Sequence, residues 1–247
     1  MWDNIGYGKC EFFIESYFES KRKEASDNFI KPAITISRLE GAGGHTVGSS
    51  LAEYMQARLP SHGMWTVFDR NLVEKVLEDH NLQKRVADFM KEDHKGMIMD
   101  AVEEWLGFHP STWSLVEKIN ATIISLAQMG NVILVGRGGS IVTRDLQNVF
   151  RVRLVGSLEK RVEQIRKVYD LDQKAAQNYI KKEDEGSRRY VKDNFDKDIN
   201  DPLLYHVTIN TDMVDYDDAA RLIGDEVIKR FKLDRSVKTT GSRSSVT

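Results

Sequence analysis

"ITISRLEGAGGHTVGSSLAEYM", residues 34–55, carries a short apolar run straight into a cluster of glycines and then into a helical pattern. A glycine-rich turn between a strand and a helix is typical of a phosphate-binding loop. The glycines let successive backbone N–H groups point inward and bind an anion, and the amino terminus of the helix adds a partial positive charge. The simpler alternative is a tight turn in which glycine only allows close packing. Three glycines within residues 41–44 favour the phosphate loop.

The loop departs from the standard pattern G-x-x-x-x-G-K-[ST] where that pattern carries its charge and its metal contact. Gly44 stands in the place of the lysine, and His45 in the place of the hydroxyl residue that binds magnesium. Magnesium prefers oxygen ligands, so the hydroxyl of Thr46 is the available metal contact and His45 offers its backbone N–H. Arg38, in the place of the first glycine, has the reach to contact phosphate, and its alternative role is an exposed loop charge. We predict that the donor nucleotide is bound by Gly41, Ala42, Gly43, Gly44, His45 and Thr46.

Composition and charge exclude several classes of protein. The 247 residues, 40% hydrophobic and 30% charged, suit one sizeable domain or a domain with an appendage. The net charge of −2 gives no basic surface of the kind that nucleic-acid binders show, and no apolar run approaches the roughly 18 residues that span a bilayer. The amino terminus lacks the pattern of a secretory signal, and the single cysteine, Cys10, cannot form an internal disulfide. We expect a cytoplasmic protein without nucleic-acid or membrane partners.

Strand and helix patterns alternate along most of the chain, which predicts an α/β three-layer sandwich around a five-stranded parallel sheet. The candidate strands are short, β-branched and mostly apolar on both faces, and they cover residues 33–37, 64–68, 131–136, 149–156 and 204–210. Helical patterns fill the gaps at 45–59, 70–79, 82–107 with a break, 111–130, 157–169, 172–194 and 216–232. Ser114, Ser157 and Asp172 are plausible helix N-caps.

The two ends differ from this alternating region. Cys10, Phe13, Ile14, Tyr17 and Phe18 form an apolar stripe at helical spacing that must be buried. The stripe packs either against the parent domain or against a second copy, which would make the protein a homodimer. The last residues show no apolar periodicity. We therefore divide the chain into a helical extension (1–32), a phosphate-loop domain (33–234) and a disordered tail (235–247).

Four stretches together resemble the cytidylate kinase-like family of P-loop nucleoside monophosphate kinases. They are the glycine loop itself, "FDRNLVEKV", "GNVILVGRGGSIV" and "DPLLYHVTINTD", and the resemblance covers roughly residues 33–232. Within that family the serine–arginine pair before the glycines and a glycine in the lysine's place are common. The resemblance implies transfer of the γ-phosphoryl group of ATP to CMP or dCMP with Mg²⁺, and helical acceptor-binding and lid segments.

The same resemblance assigns residues to the acceptor. Arg137, between two glycines directly after a central strand, corresponds to an arginine that holds the acceptor monophosphate; the alternative is a buried ion pair with a carboxylate such as Asp69. Asp69 ends the second strand and corresponds to the residue that begins the acceptor-binding segment. Lys75 occupies the place of a second phosphate-binding arginine, and Arg70 is a further candidate contact.

A lid is implied for residues 171–200, where related kinases close arginines over the transferring group. Arg188 and Arg189 are the candidates for this role. Relatives typically carry arginines where this chain has Glu185 and Ser187, so we expect a small shift of the helix to bring Arg188 to the active face. The alternative is a charged amphipathic helix with i, i+4 pairs.

Thr211 and Asp212 follow the last candidate strand. In P-loop kinases of this shape the loop after that strand lies beside the donor base, so the resemblance implies that both residues contact adenine. A turn that starts the next helix explains them equally well.

Three functions remain open at this stage. They are a kinase of CMP or dCMP, a kinase of another small acceptor on the same fold, and a nucleotide-binding or scaffolding module that has lost catalysis. If the protein is a kinase, we predict that Arg38, Arg137 and Arg188 reach one common cavity above Gly43.

Overall fold

The computed structural model describes residues 8, 11–16, 31–69, 71 and 115–234. The strands are β1 (Ala33–Arg38), β2 (Thr66–Asp69), β3 (Val132–Val135), β4 (Val149–Val155) and β5 (Val207–Asn210). The main helices are α1 (Gly44–Arg58), α2 (Leu115–Met129), α3 (Gly139–Val142), α4 (Leu158–Tyr169), α5 (Gln173–Phe195) and α6 (Tyr216–Phe231). Short 3₁₀ turns cover Pro60–His62 and Pro202–Leu204. The helices predicted within 70–107 and the cap at Ser114 lie outside the described residues.

The five strands form one parallel sheet in the order β2-β3-β1-β4-β5, which confirms the predicted architecture. From the central β1 the chain first builds β2 and β3 on one side and then β4 and β5 on the other. The glycine loop therefore leaves β1 at the point where the strand order reverses, where open α/β sheets bind ligands. The last strand begins at Val207 rather than at the predicted residue 204, because Pro202–Leu204 forms a 3₁₀ turn that the Asp201 side chain caps.

Strand alternation divides the core between the two faces of the sheet. Ile34 and Ile36 are fully buried in a cluster that includes Val47, Leu51 and Met55 of α1 and the apolar stripe of α6. The intervening residue, Thr35, faces the other side, where its hydroxyl is 3.0 Å from that of Ser140 in α3. On that side α2 packs against β1, β3 and α3. The helices thus cover the sheet on both faces and leave its carboxyl edge for the loops.

Two of the predicted helix caps are confirmed. The side chain of Ser157 accepts a hydrogen bond from the backbone N–H of Lys160, and that of Asp172 accepts one from Ala175. Each satisfies an N–H group that the first turn of a helix leaves without an intrahelical partner. The caps fix where α4 and α5 begin, and α5 is the helix predicted as the lid.

The amino-terminal segment packs against the parent domain. Phe13 and Ile14 are buried, and the Phe13 ring meets that of Phe68 edge to face, with centroids 5.9 Å apart. Phe12 on the same turn is 59% exposed. For Phe13 and Ile14 the first alternative therefore holds, whereas Cys10 and the tail lie outside the described residues. Within the described part of the chain, no helix combines the length and the apolar character that crossing a membrane requires.

Candidate active site

The glycine loop has the backbone geometry of an anion-binding nest. Gly41 and Gly43 have φ angles of +83° and +81°, in the left-handed region that favours glycine. Gly43 is the N-cap of α1, and its carbonyl accepts the first helical hydrogen bond from Val47 at 2.8 Å. Gly44, His45 and Thr46 lie between Gly43 and Val47 and form the first turn of the helix. Their N–H groups need an acceptor from outside the helix. A phosphate oxygen satisfies this need.

Close packing also requires glycine at both positions. A Cβ atom on Gly41 would lie 2.7 Å from the carbonyl oxygen of Arg161 in α4. A Cβ atom on Gly43 would lie 2.3 Å from the ring of Tyr216 at the start of α6. The loop is therefore held between two helices. The close-packing alternative holds for these two glycines, and phosphate binding stays a prediction.

Arg38 occupies the space that a side chain on Gly44 would need. A Cβ atom on Gly44 would lie 3.0 Å from Cγ and 3.2 Å from Cδ of Arg38. The guanidinium continues past this point, and its Nη2 atom is 3.3 Å from Oε2 of Glu40. Arg38 thus lies across the position at which other phosphate loops carry a lysine, and a side chain at residue 44 would contact it.

A cavity of about 320 Å³ opens beside the loop at the carboxyl edge of β2 and β3. One wall is apolar and is formed by Phe68, Val116, Ile119, Ile123 and Leu134. The polar lining side chains are Arg38, Asp69, Arg137, Glu183, Ser187 and Tyr190. The cavity thus offers two cations for an anionic group and an apolar wall for a flat or aliphatic one.

Arg137 enters this cavity from the glycine-flanked turn after β3. Its guanidinium carbon lies 4.7 Å from the centroid of the Tyr190 ring, so an aromatic face of α5 supports the cation. The carboxylate of Asp69 lies 3.1 Å (Oδ2) from Nε2 of His45. The side chain of His45 thus reaches the end of β2, a contact that the sequence did not predict.

Arg188 and Arg189 do not line the cavity, which corrects the expectation that three arginines share it. Both are exposed on α5, whereas Glu183 and Ser187 line the cavity and Ser187 is buried. Residues four apart share a helix face, and the residue after Ser187 is rotated by about 100° from it. The convergence at the cavity is therefore Arg38 with Arg137, and α5 presents a carboxylate and a hydroxyl beside them.

An ion pair joins α4, α5 and the glycine loop. Nη1 of Arg161 is 2.7 Å from Oδ2 of Asp184, and the same nitrogen donates to the Glu40 carbonyl at 3.0 Å. The other carboxylate oxygen of Asp184 accepts the backbone N–H of Glu40 at 2.8 Å. Sequence reasoning missed this cluster. The sequence feature that could have indicated it is a charged residue, Arg161, next to Val162 on the buried face of an amphipathic helix.

The side chains of Thr211 and Asp212 make hydrogen bonds within the chain. The Thr211 hydroxyl donates to the Val155 carbonyl at 3.1 Å, and Asp212 accepts the N–H of Ser157 at 2.8 Å. These bonds tie the loop after β5 to the end of β4 and the start of α4. Contact with adenine stays a prediction for both residues.

The other predicted residues divide into described and undescribed ones. Arg70 and Lys75 lie outside the described residues, and their roles stay predictions. Thr46 is exposed in the first turn of α1, as its predicted metal contact requires. In the described ranges no three His, Cys, Asp or Glu side chains gather as a metal cluster. Mg²⁺ in kinases needs only one or two carboxylates besides the substrate phosphates. The oxygens of Asp69 and Glu183 in the cavity fit that requirement.

A glycine loop at the switch point of a five-stranded parallel sheet, with arginines beside it, defines a P-loop kinase fold. The sequence model of the cytidylate kinase-like family matches residues 33–213. The chain belongs to this family, as its motifs predicted.

Individual relatives are distant. The cytidylate kinase of Methanocaldococcus jannaschii is 25% identical over 173 residues, which cover 68% of this chain and 93% of that protein. The crystal structure of an uncharacterized protein from Eubacterium ventriosum has a TM-score of 0.54 at 20% identity, covering 80% of this chain and 98% of its own. Shikimate kinase from Bacteroides thetaiotaomicron has a TM-score of 0.40 at 12% identity, covering 81% of this chain and 98% of its own.

Proposed function

We propose that this protein is a nucleoside monophosphate kinase that transfers the γ-phosphoryl group of ATP to CMP or dCMP. One observation carries the proposal: Arg38 and Arg137 line one cavity that adjoins the glycine loop. Transfer between two phosphates needs little covalent chemistry, but it needs both phosphates positioned in line and their charge neutralised. Two arginines beside an anion-binding loop meet that need.

The described residues divide the work between donor and acceptor. The N–H groups of Gly44, His45 and Thr46 bind the donor phosphates, and Arg38 neutralises charge above them. Arg137, supported by the Tyr190 ring, binds the acceptor phosphate, whose oxygen attacks the γ-phosphorus while the bond to the leaving ADP breaks. When bound, Mg²⁺ neutralises the phosphate oxygens, and Asp69, Glu183 and Thr46 would hold it.

The choice of CMP rests on the family and on the shape of the cavity. The apolar wall that includes Ile119 and Ile123 suits the face of a base, and Asp69 can accept a hydrogen bond from a ribose hydroxyl. Another acceptor with one anionic group and one apolar face would use the same features. The identity of the acceptor therefore has to be determined by experiment.

The test is a panel of CMP, dCMP, UMP, AMP and GMP with ATP and Mg²⁺, followed by detection of ADP and of the diphosphate product. We expect the cytidine nucleotides to give the highest kcat/KM. Arg137→Ala should raise the KM for the acceptor by about tenfold or more, because a charge-assisted contact is lost, and change the KM for ATP little. The matched control is Arg144→Ala, since Arg144 is exposed and pairs only with its neighbour Asp145 among the described residues. An equal rise of both KM values in Arg137→Ala would contradict the assigned role.

A second candidate is a nucleotide-binding module without transfer. Two observations favour it: Ser187 faces the cavity where the resemblance implies an arginine, and Glu183 places negative charge beside it. This candidate predicts that the protein binds ATP but forms no diphosphate from any acceptor in the panel.

A further inference from the structure

Arg153 is a buried arginine that the proposed reaction does not use. It lies on β4, in register with Ser37 of β1, and only 3% of it is exposed. Nη1 donates to the Ser37 hydroxyl at 2.8 Å, and Nη2 donates to Oδ1 of Asn200 at 3.1 Å. Its guanidinium carbon lies 5.9 Å from the centroid of the Tyr205 ring, and its Nε has no hydrogen-bond partner among the described atoms.

This cation has no carboxylate in direct contact. Its two hydrogen-bond partners are neutral, and within the described ranges no carboxylate lies within ion-pair distance of it. Burial lowers the pKa of Arg153, whereas electrostatic interactions with Tyr205, Asp184 and Asp198 raise it and the positive charge of Arg38 lowers it. An arginine nevertheless stays protonated in a protein. A buried cation without a counter-ion in direct contact is costly, so a role in stabilising the fold does not explain it.

The position of Arg153 points to the anion that would compensate it. Ser37, to which Arg153 donates, directly precedes Arg38 at the start of the glycine loop. β4 lies next to β1 on the side away from β2 and β3, and Arg153 does not line the cavity that we assign to the acceptor. A second cation, Arg38, lies close enough to repel it. Arg38 is paired with Glu40 at 3.3 Å, and an anion bound in the loop would be attracted by both arginines.

We propose that the buried Arg153 supplies part of the positive charge that a lysine at position 44 would supply to the donor phosphates. The inference rests on the proposed function, because it assumes that the glycine loop binds a nucleoside triphosphate. Arg153 acts through its electric field and not through contact, since its guanidinium is already bound to Ser37 and Asn200. It is a positioning residue for the polyphosphate.

The chain offers a matched control on the same strand. Arg151 lies two residues before Arg153, so both side chains lie on one face of β4, with Arg151 further from the carboxyl edge. Arg151→Met removes the same charge farther from the loop. In Arg153→Met neither former partner is stranded, because Ser37 keeps the Tyr205 hydroxyl at 3.3 Å and Asn200 is exposed.

The experiment measures binding of ATP, ADP and adenosine to the full chain by calorimetry, together with thermal unfolding without ligand. We expect Arg153→Met to weaken ATP binding about tenfold, as loss of a unit charge several ångströms from a polyphosphate implies, and to weaken adenosine binding little. Arg153→Lys, which keeps the charge, should restore most of the ATP affinity. Arg151→Met should change it less than about threefold, because the field weakens with distance. The melting temperature of Arg153→Met should stay equal or rise.

Each other outcome identifies what fails. Unchanged ATP affinity in Arg153→Met overturns the inference and leaves the kinase proposal intact. Equal losses for ATP and adenosine with a lower melting temperature, or failure of Arg153→Met and Arg153→Gln to fold, overturn it in favour of a structural role. Wild-type protein that binds no ATP overturns both proposals.

Discussion

A methyl group added at Gly44 should destabilise the protein only while Arg38 is present. The Cβ of Gly44→Ala would lie 3.0 Å and 3.2 Å from two carbons of Arg38 and 3.3 Å from Cγ1 of Val135. Overpacking of this kind typically costs ~1–3 kcal/mol, against a gain of ~0.5–1 kcal/mol from replacing glycine in a helix. We therefore expect a net loss of about 1 kcal/mol in the wild type. In Arg38→Ala the two shortest contacts are gone, and the same substitution should be neutral or stabilising.

The assay is urea unfolding of the two single variants, the double variant and the wild type. The expected coupling of about 1.5 kcal/mol corresponds to roughly 3–6 °C in melting temperature for a domain of this size. Gly48→Ala is the control, because its Cβ would lie 3.1 Å from the other methyl of Val135 and its three nearest neighbours do not include Arg38. Its effect should add to that of Arg38→Ala. Additivity within about 0.5 kcal/mol at Gly44 as well would refute the reasoning that Arg38 excludes the lysine.

Two further predictions concern the amino-terminal segment and the pH dependence of stability. Phe13→Ala should lower the free energy of unfolding by about 3 kcal/mol, because the ring is 5% exposed, whereas Phe12→Ala should change it by less than about 0.5 kcal/mol; equal effects in urea titrations would contradict the packing described. Burial, together with the charges of Arg151 and Arg230, lowers the pKa of His206 to about 4, while the unfolded chain binds the proton near pH 6.5. The contribution of neutral His206 to the free energy of unfolding is thus complete above about pH 6.5 and is lost as the pH falls towards 4. The urea midpoint should therefore fall over this range in the wild type and fall less in His206→Gln.

The sheet and its helices could be predicted because their signals are local. Short runs of apolar, β-branched residues and helical periodicity are properties of short windows, and the caps at Ser157 and Asp172 lie within three residues of their partners. The glycine loop was equally local, since its position between strand and helix identified it. The limits of β5 were less accurate, because the turn at Pro202–Leu204 takes residues that are apolar enough for a strand.

The site itself depends on contacts between distant residues. Periodicity shows that α5 is amphipathic, but the rotation that exposes Arg188 and faces Ser187 to the cavity is set by packing against distant elements such as α4. Arg161 meets Glu40 across a separation of 121 residues, which no local pattern contains. In the sequence of β4, Arg153 stands between a valine and a leucine. Because the strand was interpreted as apolar on both faces, this charge was not considered.

The link from Asp184 to the backbone of Glu40 has a thermodynamic consequence. One carboxylate on α5 accepts a loop amide and is neutralised by Arg161, so α5 and the glycine loop share a hydrogen-bonded junction. If a nucleotide in the loop changes the free energy of docking α5, docking α5 changes the affinity for that nucleotide by the same factor. Substitutions on α5 that touch no phosphate would then alter nucleotide affinity through this junction, so we expect α5 and the proposed donor site to be thermodynamically coupled.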